Sequence, residues 1–142
     1  MWGGGYMLSQ YEEMKKIFQL NCRMYWMERK EMEDMKARYP GIDVNAKSLR
    51  KIKDDRSTMT PAKRYWYLMQ AVEWVDSVFN IILSEYGDFA YRMLWNRFIE
   101  TRTQDDVANE MGLTRRQLQY EEDKIISGLM ERINERQKLN CI

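Results

Sequence analysis

The chain has 142 residues, enough for one ordinary domain or for a small domain with an extended helical arm, and 44% hydrophobic with 32% charged residues argues against disorder. A formal net charge of only +1 supplies no overall positive field towards nucleic acid, so any such attraction has to be local. The chain lacks histidine, and Cys22 and Cys141 lie far apart with no Cys-x-x-Cys pair, which removes the usual zinc constellations and the imidazole bases of hydrolases.

Two isolated thiols fit a reducing cytoplasm. Met1-Trp2 followed by three glycines lacks the basic start and apolar run of a signal peptide, and no apolar stretch approaches the roughly 20 residues of a membrane span. A cytoplasmic protein with no membrane contact is expected. Two prolines, and few glycines beyond Gly3 to Gly5, favour an all-α fold over one with many turns. The twelve methionines suit plastic helix–helix contacts or plain core filling, and the second is favoured.

The first expected element is a long helix from about Ser9 to Arg38, without Gly or Pro. Tyr11, Phe18, Tyr25, Met32 and Tyr39 recur every seven residues, with Met14 and Met35 beside them, while Asn21 and Glu28 interrupt a second seam. Such a stripe suits docking on another helix or on a partner chain. Lys15-Lys16, Glu28 to Lys30 and Asp34 lie opposite and are expected to be solvated. Tyr39-Pro40-Gly41 stops this helix, so residues 1–41 read as an N-terminal helical interaction arm. Residues 42–59 read as a linker, locally basic through Lys47, Arg50, Lys51, Lys53 and Arg56, with Ser48 placed to cap a short helix. Such a segment tracks a phosphate backbone, reaches a polymerase or merely links.

Residues 60–142 read as a helical core. Thr60-Pro61 opens a second long helix to about residue 85, with a hydroxyl cap and proline at its first position. Tyr65, Leu68, Met69, Val72, Val75, Val78, Phe79, Ile82 and Leu83 follow helical spacing, and Trp66 and Trp74 widen the stripe. Glu85-Tyr86-Gly87 ends it. Asp88 starts a third helix through Phe89, Met93, Leu94, Phe98 and Ile99.

Residues 103–129 then read as two helices around a tight turn. Thr103 caps the first, Asp105 and Asp106 suit its dipole, and Val107, Ala108 and Met111 give it an apolar side. Gly112 takes the left-handed turn position, Leu113 plugs the corner and Thr114 caps the second helix. Leu118, Ile125 and Leu129 share one face of that helix, which is expected to continue through Ile133 and fray near Gln137. Small residue, turn glycine and hydroxyl cap in this order are the pattern of a helix-turn-helix; the plain alternative is an ordinary helical hairpin.

On these residues the segment resembles the last helix-turn-helix of bacterial sigma factors: Thr103, Asp105-Asp106, Val107-Ala108, Gly112-Leu113-Thr114 and then the basic Arg115-Arg116. Lys124-Ile125-Ile126-Ser127 with Leu129 is similar, more narrowly, to the RinA/ArpU group of phage late transcription regulators. The resemblance covers about a fifth of the chain. It departs at Glu121, where the family pattern is apolar, so either Tyr120 takes over the packing or the helix sits slightly rotated.

The resemblance implies a phage late-gene activator that binds double-stranded DNA and acts with host RNA polymerase in the bacterial cytoplasm. It places Arg115, Arg116 and Gln119 in the base-reading set. On chemistry alone, Arg suits guanine, the Gln119 amide suits adenine, and Gln117 or Tyr120 suits phosphate oxygens. Thr114, Arg115, Arg116, Gln117, Gln119 and Tyr120 are the expected DNA-binding residues, with Gly112 at the turn. The acidic Glu121 to Asp123 must point away from phosphates, pair with a base such as Lys124 or contact a partner. No nucleophile–base pair, phosphate loop or metal cluster is visible, so neither catalysis nor a cofactor is expected. A homodimer on two half-sites is favoured, because a single motif neutralises few phosphates. The alternatives are a DNA-packaging subunit of the small terminase kind and a helical adaptor that binds protein without DNA.

Overall fold

A computed structural model of the chain describes residues 2–42 and 60–140, with side chains at 10–42 and 60–132. The described residues are helical, with no strand among them: α1 (Trp2–Arg38), α2 (Pro61–Leu94), a π-helical turn (Trp95–Ile99), α3 (Gln104–Met111) and α4 (Arg115–Asn140). The all-α expectation holds. α1 begins before Ser9, and α4 runs beyond the fraying expected near Gln137. The linker after Ile42, including the Ser48 cap and the basic cluster, lies outside the described residues.

The helix ends follow local chemistry. α1 gives way to the Tyr39-Pro40-Gly41 turn, where Tyr39 N–H still donates to Met35 O at 2.8 Å and Gly41 takes φ 85°. Thr60 Oγ1 accepts the Lys63 N–H at 3.2 Å, so Thr60 caps α2 with Pro61 as its first residue. The break expected at Gly87 is present: Gly87 is non-helical (φ 92°, ψ 176°), and α2 is two helical segments meeting at a kink there. Beyond Leu94 the ladder loosens by one residue, with Glu100 N–H donating to Trp95 O at 3.0 Å.

The chain divides into two compact units, one of Met24–Asp76 and one of Met1–Arg23 with Ser77–Ile142. In the first, Tyr25 meets Asp76 and Glu31 meets Arg64, so the α1 and α2 segments run antiparallel. Met35, Tyr65 and Leu68 are buried there, with Met32, Trp66 and Met69 packed on them. The Tyr25 hydroxyl donates to Asp76 Oδ1 at 2.7 Å and accepts from Arg29 at 2.8 Å. Arg64 makes a two-pronged pair with Glu31 at 3.0 and 2.9 Å. Tyr39, the last member of the heptad stripe, is exposed because the helix has already ended before it.

In the second unit Phe18 of α1 is fully buried, its ring 6.3 Å from Phe79 and 5.3 Å from Phe98. Burying one such ring is worth about 1.5–3 kcal/mol. Phe79 in turn meets Tyr91 and Trp95 edge-on. Cys22 is buried beside this cluster in sequence, and burial pushes its thiol up to about 12. Two expected core residues are exposed. Leu83 flanks Ile82, which alone turns inward, and Phe89 follows the Gly87 break, after which Ala90, Met93 and Leu94 form the buried face.

Candidate nucleic-acid interface

Each joint of the 103–129 segment is made by the residue type that its backbone requires. Thr103 is extended (φ −68°, ψ 157°), and its side chain accepts the Asp106 N–H at 3.2 Å. Val107 and Ala108 are buried, and Met111 is half-buried. Gly112 is left-handed at φ 71°, and Leu113 N–H then returns to Ala108 O at 2.8 Å. At the start of α4, Thr114 Oγ1 accepts the Gln117 N–H at 3.1 Å while Gln117 Oε1 accepts the Thr114 N–H at 2.9 Å. That reciprocal pair is a capping box. Its Thr-x-x-Gln signature is visible in the sequence, and it gives Gln117 a structural partner besides the phosphate contact expected of it.

The buried side of α4 holds Leu118, Ile125 and Leu129, as expected, and also Ile126 and Met130. Glu121, the departure noted in the sequence, is half-buried, whereas the carboxylate within the buried face is Glu122, which is fully buried. Its Oε1 accepts from Arg97 Nε at 2.5 Å and its Oε2 from Gln104 Nε2 at 3.3 Å. Tyr120 does not take over any packing, since it is 66% exposed. Asp123, next along, accepts from Lys15 Nζ at 2.8 Å and from the Tyr11 hydroxyl at 2.8 Å. Lys15 is therefore not simply solvated. Within the acidic run, Glu122 is held by Arg97 of the π-helical turn and Gln104 of α3, and Asp123 by Lys15 and Tyr11 of α1, with Lys124 not among these partners.

Thr114, Arg115, Arg116, Gln117, Gln119 and Tyr120 are all exposed at the start of α4. Arg115 Nε donates to Gln104 Oε1 at 3.2 Å, and its guanidinium lies 3.9 Å from Asp105 Oδ2. Gln119 Nε2 donates to the same Gln104 oxygen at 2.9 Å. Arg102, beside the motif, pairs with Glu110. Exposed Arg115 and Arg116 are thus the local positive charge of the α4 start, with Asp105 as a partial counterweight. Sequence reasoning missed Gln104 and Arg97 as the partners of Glu122, because they lie on other helical elements and follow no helical period.

No family model matches the chain, and neither the curated proteins nor the solved structures provide a match. The resemblance to sigma-like segments therefore rests on residues 103–129 themselves.

Proposed function

We propose that the chain is a sequence-specific DNA-binding transcription regulator, of the phage late-gene type that acts with host RNA polymerase in the bacterial cytoplasm. One observation carries the reading. Arg115, Arg116 and Gln119 are exposed at the start of a capped helix that is anchored further along by buried Leu118, Ile125 and Leu129. A helix start presented in this way suits the major groove. There Arg115 and Arg116 suit guanine edges or phosphates, Gln119 suits adenine, and Thr114, Gln117 and Tyr120 lie near enough along the helix for backbone contacts. The reading is of a binding protein, with no catalytic, metal or cofactor residue assigned.

A few positive charges neutralise few phosphates, so one motif alone binds weakly. Specific control then requires a second copy on a neighbouring half-site or a tether to polymerase. Selection of binding sites from random duplexes, followed by gel shift and light scattering, tests the proposal. Enrichment of one sequence and the mass of a dimer are expected. A ring of many copies turns the reading towards DNA packaging, and no enrichment at any salt turns it towards the protein-binding adaptor.

A further inference from the structure

Gln104, the first residue of α3, joins the buried and exposed sides of the motif through a single amide. Its Nε2 donates to Glu122 Oε2 at 3.3 Å, while its Oε1 accepts from Arg115 Nε at 3.2 Å and from Gln119 Nε2 at 2.9 Å. The buried end is firmly set. Glu122 is fully buried and its other oxygen accepts from Arg97 Nε at 2.5 Å. Arg97, only 15% exposed, is itself held by a bond to Arg102 O at 2.7 Å.

An ionised carboxylate accepts hydrogen bonds and donates none. Glu122 therefore selects one of the two orientations of the Gln104 amide, with the NH2 turned inward and the carbonyl turned outward. The outward carbonyl is a fixed acceptor for two donors one helical turn apart on α4. Neither donor is used up. With Nε occupied, Arg115 keeps its terminal nitrogens for a guanine edge, since Asp105 Oδ2 lies 3.9 Å from one of them, beyond hydrogen-bond distance. With one amide hydrogen occupied, Gln119 keeps the other hydrogen and its carbonyl, the pair that adenine requires.

Resting on the DNA-reading role above, we propose that Gln104 is a positioning residue for base recognition, orienting Arg115 and Gln119 together before DNA arrives. Arg97 and Glu122 fix Gln104 from the buried side. The ordering of two long side chains then precedes binding, and the two base pairs they read are coupled through one oxygen.

The test measures affinity for the selected duplex and for a scrambled one in the parent, Gln104→Ala and Gln104→Met, with melting curves alongside. Met keeps the length and bulk of Gln but lacks the carbonyl, so it covers the case in which the Ala variant unfolds. The expected result is a loss of discrimination on the order of tenfold in both variants, with unchanged affinity for scrambled DNA. The same substitutions made on an Arg115→Ala, Gln119→Ala background are expected to change nothing further. A purely structural role would weaken both duplexes alike and persist on that background, and either result overturns the inference. Discrimination by the parent that survives in folded Gln104→Met overturns it alone. A parent chain that discriminates no sequence overturns the DNA-reading role as well.

Discussion

Glu122 brings a carboxylate into the apolar side of α4, one turn from both Leu118 and Ile126. Desolvating an ion costs several kcal/mol, and here Arg97 and Gln104 offset it with direct hydrogen bonds. Glu122→Ala leaves the largely buried Arg97 without its carboxylate, so denaturant unfolding should show a loss of about 3–5 kcal/mol. Replacing both Arg97 and Glu122 by Met should lose much less, because no charge is then stranded. Equal losses in the single and double variants would contradict this account. Asp123 behaves differently, since its side chain is 53% exposed. Burial pushes its carboxyl up, but the Lys15 and Tyr11 hydrogen bonds and the Lys15 charge outweigh that, and the net shift is downward from 3.8. A folded value below the unfolded one contributes stability that is full above the unfolded value and is lost as pH falls through the folded one. The melting temperature of Asp123→Asn should therefore lie below the parent's at neutral pH, by no more than an exposed pair supplies, and should meet it in strong acid. A gap that persists in strong acid would count against the Lys15–Tyr11–Asp123 contact. The exposure of Arg116 was legible, because it lies opposite the Leu118/Ile125/Leu129 face, whereas Arg115 shares the edge of that face and is exposed as the first residue of α4. The burial of Glu122 was not, because its partner Arg97 lies 25 residues away on another element.

At the scale of the element, the caps read straight from sequence. Thr60, Thr103, Gly112 and Thr114 each satisfy or shape a helix end within a few residues of themselves, so local chemistry alone locates them. The π-helical turn at Trp95–Ile99 did not, because its ladder differs from an α-helix by one residue and no residue type marks it. Nor does any local signal mark the requirement at Gly128. A Cβ there would overlap the Tyr86 hydroxyl, while the ring carbon bearing that hydroxyl stays at 3.5 Å, an ordinary contact. Gly128→Ala should therefore destabilise the protein by about 1–3 kcal/mol, as overpacking does. In a Tyr86→Phe background the obstructing oxygen is gone, and the better helix propensity of Ala should stabilise by up to about 1 kcal/mol. Thermal unfolding of the four chains of this cycle checks the change of sign. The same sign in both backgrounds would show that the close approach of α4 to Tyr86 is not what keeps position 128 small.

For the whole molecule, a net charge of +1 supplies no overall field towards DNA, so the proposed reading rests on local cations such as those at the start of α4. Its described helices include none long and apolar enough to cross a membrane. The heptad stripe of α1 finds cover within the chain at Phe18 and Tyr25, so self-association does not depend on those two residues. The central claim is that the α4 start reads DNA while the fold is independent of it. It is tested most directly by binding of Arg115→Ala and Arg116→Ala to the selected and the scrambled duplex across a salt series, with melting curves. Replacing an exposed Arg should change stability by no more than about 0.5 kcal/mol. Loss of a two-pronged base contact should weaken the selected duplex by about 1–3 kcal/mol and relax the preference at one base pair. Loss of a phosphate contact should weaken both duplexes alike and flatten the salt dependence. Two folded variants that bind the selected duplex as tightly as the parent would contradict the account.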